Sequence, residues 1–132
     1  MRQFKNLALL DFSLTPEQER FKTALHNLDK LIVEQKLIAA PIISGNLILT
    51  KQVVKREDPS DIRITVANIH YAGIQEANSA LASVKRAQSD WAARSFKNRA
   101  EIIAKAANIM TQERYHLAAV MIREVGKTWK EA

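Results

Sequence analysis

Apolar residues recur at helical spacing in the first third of the chain. They follow one another at intervals of four, three and four residues, which places them on one face of a helix. The members of this stripe are Phe21, Leu25, Leu28 and Ile32. Thr15 can cap such a helix, Pro16 suits its first position and Gln18 completes a capping box. The pattern therefore predicts a helix of roughly 20 residues that ends before Pro41.

The spacing of apolar residues changes after this first predicted helix. Two short apolar runs flank residues 44–46, where Gly45 at the first central position suits a type II′ hairpin turn with Asn46. Turn-forming residues cluster over 57–61. An alternating run follows, as expected of a half-buried strand, with Ile62, Ile64 and Val66 as its apolar positions. Residues 41–67 are therefore predicted to form a small antiparallel hairpin sheet.

Helical spacing returns at residue 73 and continues to residue 125. A helix is predicted over 74–90, and its apolar face consists of Ala77, Leu81, Val84 and Trp91. Ser95 can cap a second helix over 95–125, whose apolar stripe slips in its middle. Gly126 can end this helix in the left-handed conformation. Residues 126–132 are typical of the first turn of a further, truncated helix.

These patterns predict an α+β segment that is mostly helical and carries a small hairpin sheet. The chain has 132 residues, of which 47% are hydrophobic, and this is enough for one domain with a core. Residues 1–40 would hold an extended arm and the first helix, residues 41–67 the sheet and residues 73–125 the later helices. Leu7, Leu9 and Leu10 of the arm could dock on a neighbour.

The formal net charge of +6 raises the question of a nucleic-acid partner. Acidic residues occur throughout, however, and neither a nucleic-acid-binding module nor a set of stacking aromatic residues can be identified. A weak nucleic-acid surface would have to use Lys85, Arg86, Arg94, Lys97, Arg99 and Lys105. A solvated basic surface is the favoured interpretation, and nucleic-acid binding is the weaker one.

The chain contains no cysteine, which removes disulfides, thiolate metal sites and a cysteine nucleophile. This composition fits a reducing compartment. The longest apolar run, residues 37–43, is far shorter than a membrane span, and the first residues do not have a signal-peptide pattern. We expect a cytoplasmic protein without membrane association.

The glycines and histidines do not form a recognisable site. Gly126-Lys127-Thr128 resembles the end of a phosphate-binding loop, but Met121 stands where that loop needs a glycine. The three glycines are too far apart for a GxGxxG dinucleotide motif. The histidines are also widely separated, at His26, His70 and His116. We therefore assign no metal site, no cofactor-binding residue and no catalytic residue in this chain.

Glu124 is the acidic residue of most interest. It lies in the last turn of the helix that Gly126 ends, where a carboxylate opposes the helix dipole. It can be a surface residue, or one paired with Arg123 or Lys127. It can also be a carboxylate held at the edge of a site. Spacing alone favours the structural interpretation over the functional one.

A family resemblance gives the strongest indication of function. Its most specific part is the segment E-V-G-K-T-W-K-E-A over residues 124–132. Residues that also carry it are Trp91, Arg99, Ile102, Lys105, Met110, Arg114, Leu117 and Met121. Together they resemble the N-terminal region of the aldehyde dehydrogenase superfamily, and the long form E-V-G-K-T-W-x-E-A is similar to its 1-pyrroline-5-carboxylate (L-glutamate γ-semialdehyde) dehydrogenase branch. The chain departs from the family pattern at Asp58 and Thr65, where the family usually has Asn and Gly.

The resemblance implies an α/β parent enzyme of proline degradation that binds NAD, takes a small-molecule aldehyde substrate and forms a homo-oligomer. In that family a cysteine attacks the aldehyde, hydride passes to NAD and water releases glutamate. The family's NAD-contacting motifs, general base and nucleophilic cysteine come further along the sequence than residue 132. We therefore interpret the chain as an N-terminal fragment that is inactive alone. The resemblance also places Glu124 near the substrate entrance, where it could interact with the amino end of the substrate.

The residues themselves leave two other functions open. The chain could be a stand-alone basic helical interaction module, which requires its apolar stripes to close on one another. It could also be a weak nucleic-acid binder, which predicts an affinity that falls steeply with salt concentration.

Overall fold

The computed structural model describes residue 6 and residues 8–132. Within those residues the chain forms four helices and five strands. They are α1 (Thr15–Val33), β1 (Ile38–Ala39), β2 (Ile42–Ile43), β3 (Asn46–Leu47), β4 (Val53–Asp58), β5 (Asp61–His70), α2 (Ile74–Ala93), α3 (Phe96–Gln112) and α4 (Arg114–Val125). Residues 1–5 and Leu7 lie outside the described part, so the docking of the arm on a neighbour stays a prediction.

The helix predicted from the first apolar stripe is confirmed as α1. Phe21, Leu28 and Ile32 are buried on it, as the spacing predicts. The predicted capping box is wrong, because the helix begins one residue earlier: the Leu14 carbonyl accepts hydrogen bonds from the amides of residues 17 and 18. Thr15 is therefore the first helical residue. The Gln18 side chain donates instead to the Phe12 carbonyl at 2.6 Å and fastens the arm to the helix.

The single antiparallel sheet predicted over 41–67 is two sheets in the structure: the β2–β3 hairpin and a three-stranded sheet that is not purely antiparallel. Three strands pair in the order β1-β5-β4, with β4 antiparallel and β1 parallel to β5. The parallel pair joins Ile38 and Ala39 to Asn68 and Ile69. This pair lies outside the predicted range 41–67. It was not predicted, because a pairing of two residues is too short to show a periodic sequence pattern. Of the three apolar positions predicted on β5, Val66 is buried and the other two are exposed.

The β2–β3 hairpin turns one residue earlier than predicted. Ile42 pairs with Leu47 and Ile43 with Asn46, so the connecting residues are Ser44 and Gly45. Both have positive φ angles, 52° and 80°, which is the requirement of a type I′ turn rather than a type II′ turn. Asn46 belongs to β3 because it pairs with Ile43. Ser44 therefore occupies the first central position of the turn, where its positive φ is strained.

The later helices follow the predicted pattern with one correction. The Ser95 side chain accepts a hydrogen bond from the Asn98 amide at 3.2 Å, which confirms it as the cap of α3. The single helix predicted over 95–125 is two helices, α3 and α4, that meet at Glu113 with φ −86° and ψ 10°. The chain leaves helical geometry there, and only α4 turns its small residues, Ala118 and Ala119, into the core. Gly126 ends α4 with φ 69°, as predicted.

The core lies between α1, α4 and β5. Its buried members are Leu28, Ile32, Val66 and Ala119. Ala24, Leu25, Leu37 and Val120 pack against it and are partly buried. In contrast, no residue of α2 or α3 is buried. Two helices of the described chain therefore contribute nothing to its core.

The last residues form a hydrogen-bonded turn after Gly126. The Ala132 amide bonds to the Thr128 carbonyl at 3.0 Å, as in the first turn of a helix. The Glu131 carboxylate accepts hydrogen bonds from the Thr128 amide and hydroxyl, at 3.1 and 2.8 Å. These contacts correspond to one half of a capping box. None of the helices in the described residues has the length and hydropathy of a membrane span.

Candidate functional site

The corner where α4 ends against the β4–β5 hairpin contains the predicted site residue, Glu124. Gly126 gives this corner its shape. Its φ of 69° is the left-handed conformation that ends the helix, and a Cβ at this position would lie 3.1 Å from the Pro59 ring. The glycine is therefore required both for its backbone conformation and for close approach to the hairpin.

Arg123 fastens this corner to α1. Its Nε and Nη2 atoms donate to the two carboxylate oxygens of Asp29, at 2.8 and 2.7 Å, in a bidentate pair. Its Nη1 atom lies 3.7 Å from Oδ2 of Asp58. The hydrogen bonds to Asp29 raise the pKa of Arg123 above its ordinary value, against the opposing effect of desolvation. The guanidinium thus joins three elements, α1, α4 and the β4–β5 turn.

Asp58 is the one buried charged residue of the described chain, at 2% exposure. Its Oδ1 atom accepts hydrogen bonds from the Ser60 amide and hydroxyl, at 2.8 and 2.5 Å, and these close the turn. A buried carboxylate needs such partners and a nearby cation to offset its loss of hydration. Arg123 supplies the cation, so the departure from the family's usual Asn comes with a charge partner.

Glu124 is paired, but not with either of the neighbours expected from the sequence. Its Oε1 atom lies 3.6 Å from Nε of Arg56 on β4. Arg56 Nη2 also donates to the backbone carbonyl of Glu124 at 2.9 Å. Both side chains of this pair are about half exposed, at 43% and 44%. The Glu124 carboxylate therefore lies at the surface of the corner, beside the Arg56 guanidinium of β4.

An aromatic cluster lies beside the N-terminal half of α1. Phe21 packs with ring centroids 4.9 Å from Trp129, 5.4 Å from Phe12 and 6.3 Å from Tyr115. The Tyr115 hydroxyl donates to the Glu17 carboxylate. The cluster joins the arm, α1, α4 and the final turn, and it borders a cavity of about 300 Å³.

The other residues considered in the sequence do not come together as a site. The His70 ring bonds to the Thr50 carbonyl at 2.8 Å, which is a structural contact. No group of three metal-ligating side chains occurs in the described part of the chain. Among the basic residues of the α2–α3 region, Arg99 donates to the carbonyls of Ala92 and Arg94 and so holds the two helices at their junction.

The sequence did not indicate the contacts that Arg56, Arg123 and Asp29 make across this corner. The two arginine contacts across the corner join residues 68 and 94 positions apart in the chain. Charged residues at such separations cannot be paired from one sequence, because only the packing of α4 on α1 and β4 brings them together. The arrangement fixes the position of a helix end.

The chain matches known proteins over nearly its whole length. A family model described as "Aldehyde dehydrogenase family" matches residues 48–132. A relative from Staphylococcus aureus strain MW2, "1-pyrroline-5-carboxylate dehydrogenase", is 29% identical over 130 residues, which are 98% of this chain and 25% of the relative. A relative of the same name from Staphylococcus haemolyticus is 29% identical over 98% of this chain. The chain thus spans about a quarter of the length of these relatives.

Solved structures give the same result. The 1-pyrroline-5-carboxylate dehydrogenase from Thermus with bound NAD superposes with a TM-score of 0.92 at 26% identity, over 99% of this chain and 25% of that chain. Proline utilization A from Bdellovibrio bacteriovorus superposes with a TM-score of 0.91 at 28% identity, over 98% of this chain and 13% of that chain. The fold is therefore that of the corresponding part of these proteins, and the chain belongs to the aldehyde dehydrogenase family.

Proposed function

We propose that this chain is the N-terminal scaffold of an NAD-dependent dehydrogenase that oxidises L-glutamate γ-semialdehyde, the open form of 1-pyrroline-5-carboxylate, to glutamate. The observation that carries the proposal is the superposition on the NAD-bound Thermus enzyme over 99% of this chain with a TM-score of 0.92. The segment E-V-G-K-T-W-K-E-A at 124–132 supports the assignment to this branch. In this proposal the chain forms part of the scaffold of the enzyme and contributes no reacting group.

The reacting groups of such an enzyme are not in this chain. It has no cysteine to attack the aldehyde. At the start of α2, the amide of Gly73 already donates to the Glu76 carboxylate at 2.8 Å, and this carboxylate would repel a phosphate at that helix end. NAD, the hydride acceptor of the reaction, would be held by residues outside this chain.

The exposure of α2 and α3 supports the scaffold proposal over a stand-alone interaction module. That module requires the apolar stripes to close on one another, whereas Leu81, Val84, Ile103 and Met110 are 54–64% exposed. In the proposed enzyme these stripes would pack beside the coenzyme-binding sheet. Glu124 would lie on the substrate side and could receive the amino end of the substrate.

A chimera tests the proposal. This chain replaces the matching first quarter of the Staphylococcus aureus relative, and NADH formation from glutamate semialdehyde is followed by absorbance. We expect activity from the chimera and none from this chain alone or from the relative without its first quarter. A chimera that folds by circular dichroism but forms no NADH would count against the proposal. Light scattering of the same chimera tests the homo-oligomer that the resemblance implies.

A further inference from the structure

The aromatic cluster joins two segments that lie at opposite ends of the described chain. Phe12 belongs to the arm, residues 8–14, and Trp129 belongs to the final turn, residues 128–132. The centroids of these two rings are 5.8 Å apart, and both rings also contact Phe21 of α1. Such distances are those at which aromatic rings attract one another. Phe21 is 1% exposed, so two peripheral rings close on a fixed ring of the core and on each other.

Phe12 is the main anchor of the arm. Within residues 8–14 only Leu10 and Phe12 are partly buried, and the other five residues are exposed. The Phe12 carbonyl accepts the hydrogen bond from the Gln18 side chain at 2.6 Å. The arm is therefore held to the molecule through the backbone of Phe12 on one side and through its ring on the other.

The final turn keeps its shape through its own hydrogen bonds. The Glu131 carboxylate accepts from the amide and hydroxyl of Thr128, and the amides of Glu131 and Ala132 donate to the Thr128 carbonyl. Trp129 lies inside this turn, so the same bonds determine where its ring points. Among the described residues, no hydrogen bond joins residues 127–132 to another element. The Trp129 ring is therefore the contact through which the turn is fastened to α1 and to the arm.

The arm and the final turn also form two walls of the cavity of about 300 Å³ beside the cluster. Residues 8–10 line it from the arm and residues 129–132 from the final turn, whereas Tyr115 and Ala118 line it from α4. Release of either segment would widen this cavity. The arm thus has the position of a strap across it.

We propose that the arm is a strap whose closure depends on the final turn, because the turn presents the Trp129 ring on which Phe12 closes. When Trp129 is displaced, Phe12 loses one of its two ring contacts and the arm opens more often. The coupling acts in both directions, since each segment must change the closed population of the other by the same factor. The proposal concerns a conformational device of this chain and does not depend on the proposed enzymatic activity.

Hydrogen exchange of the full 132-residue chain, read by mass spectrometry, tests the coupling. Glu131→Ala removes two hydrogen bonds of the final turn and leaves every ring of the aromatic cluster in place. We expect the amides of the final turn to exchange about fivefold faster, the effect of losing one capping side chain, and those of the arm at least about twofold faster. Glu76→Ala is the matched control, because it removes the corresponding contact with Gly73 at the start of α2 and should leave the arm unchanged.

The reverse experiment perturbs the arm. Phe12→Ala should speed exchange of the amides of Glu131 and Ala132, which bond within the final turn. Trp129→Ala removes the shared contact directly and should release the arm whether or not the turn keeps its hydrogen bonds.

Two results would overturn the proposal. One is unchanged exchange of the arm in Trp129→Ala, or in a Glu131→Ala variant whose final turn exchanges faster, because the arm would then be held by Phe21 and Gln18 alone. The other is an equal acceleration throughout α1, which would show a loss of global stability and not a local opening of two coupled segments.

Discussion

Replacing Arg123 by methionine tests whether a buried charge cluster holds α4 on the rest of the molecule. The substitution keeps much of the side-chain volume but removes the bidentate pair with Asp29 and the cation 3.7 Å from Asp58. Asp58 is 2% exposed, so water cannot replace the lost charge there. The cost of the substitution should therefore come mainly from Asp58, which remains buried, and less from the half-exposed Asp29.

The distances give the size of the effect. At an effective dielectric constant of about 20, unit charges at this separation attract by about 4 kcal/mol, before the cost of desolvation is subtracted. Asp58 keeps its two hydrogen bonds from Ser60, which reduces the loss. The Asp29 side chain is 40% exposed and is rehydrated, so that pair contributes at most about 1 kcal/mol. We expect Arg123→Met to lower the free energy of unfolding by about 2–3 kcal/mol.

Arg63 supplies a control with the same geometry. Its Nε and Nη2 atoms donate to the two carboxylate oxygens of Asp61 at 2.8 and 2.7 Å, the distances of the Arg123–Asp29 pair. The Arg63 side chain is 87% exposed, however. Arg63→Met should therefore cost less than about 1 kcal/mol. The chemistry of the bidentate pair is the same in both, so the difference between the two variants reports the buried Asp58 charge together with the lower exposure of Arg123.

Urea unfolding followed by far-UV circular dichroism measures both losses at low protein concentration. A second substitution, Asp58→Asn, should recover part of the loss in the Arg123→Met background, because the carboxamide carries no charge to leave unpaired. The pKa of Arg123 is raised, so its contribution is complete below the ordinary value and is lost only in strong alkali. Equal losses for the Arg123 and Arg63 variants would refute the reasoning, as would a further loss on adding Asp58→Asn.

Three further predictions concern the ends of the helices and the exposed helices α2 and α3. Gly126→Ala should cost roughly 1–3 kcal/mol, and more than Gly45→Ala in urea unfolding, since both have positive φ but only Gly126 lies against the β4–β5 turn. Amides of residues 74–112 should exchange hydrogen faster than those of α1 and α4 by mass spectrometry, and equal protection would contradict the burial pattern. Hydrogen bonds from Thr128 lower the pKa of Glu131 below its ordinary 4.5, so the final turn is stabilised above that pH and loosens as the pH falls through the lower value. Trp129 fluorescence should report this transition, and Glu131→Gln should abolish it.

The sequence predicted those features that depend on neighbours within one or two turns of the chain. The stripe on α1, the Ser95 cap and the Gly126 stop are all of this kind, because their geometry is determined by spacings of three or four residues. The turn of the β2–β3 hairpin was predicted one residue late. Gly45 suits the first central position of a type II′ turn and the second of a type I′ turn, and cross-strand pairing decides between them even though it places Ser44 at a positive φ.

Features that depend on distant partners could not be predicted. The parallel pairing of β1 with β5 joins segments about 30 residues apart and covers two residues of each strand, too few for a periodic signal. The partner of Glu124 was expected among its neighbours in sequence but is Arg56, on another element. The break at Glu113 between α3 and α4 was visible only as a slip in the stripe. Sequence spacing could not show whether the slip marks an irregular helix or a change of helix direction. The change of direction depends on the packing of Ala118 and Ala119 in the core.

The division of the chain into a packed part and an unpacked part follows from where its charged and aromatic contacts lie. The Arg123 cluster joins α1, α4 and the β4–β5 turn, and the aromatic cluster joins the arm, α1, α4 and the final turn. Neither cluster includes a residue of α2 or α3, and neither helix buries a residue. An apolar stripe of helical spacing specifies a helix but not its partner. The stripes of α1 and α4 find a partner within the described chain, and those of α2 and α3 remain on its surface. That surface is where the proposed enzyme would place its coenzyme-binding sheet, so the scaffold proposal accounts for helices that are well formed and yet contribute nothing to the core.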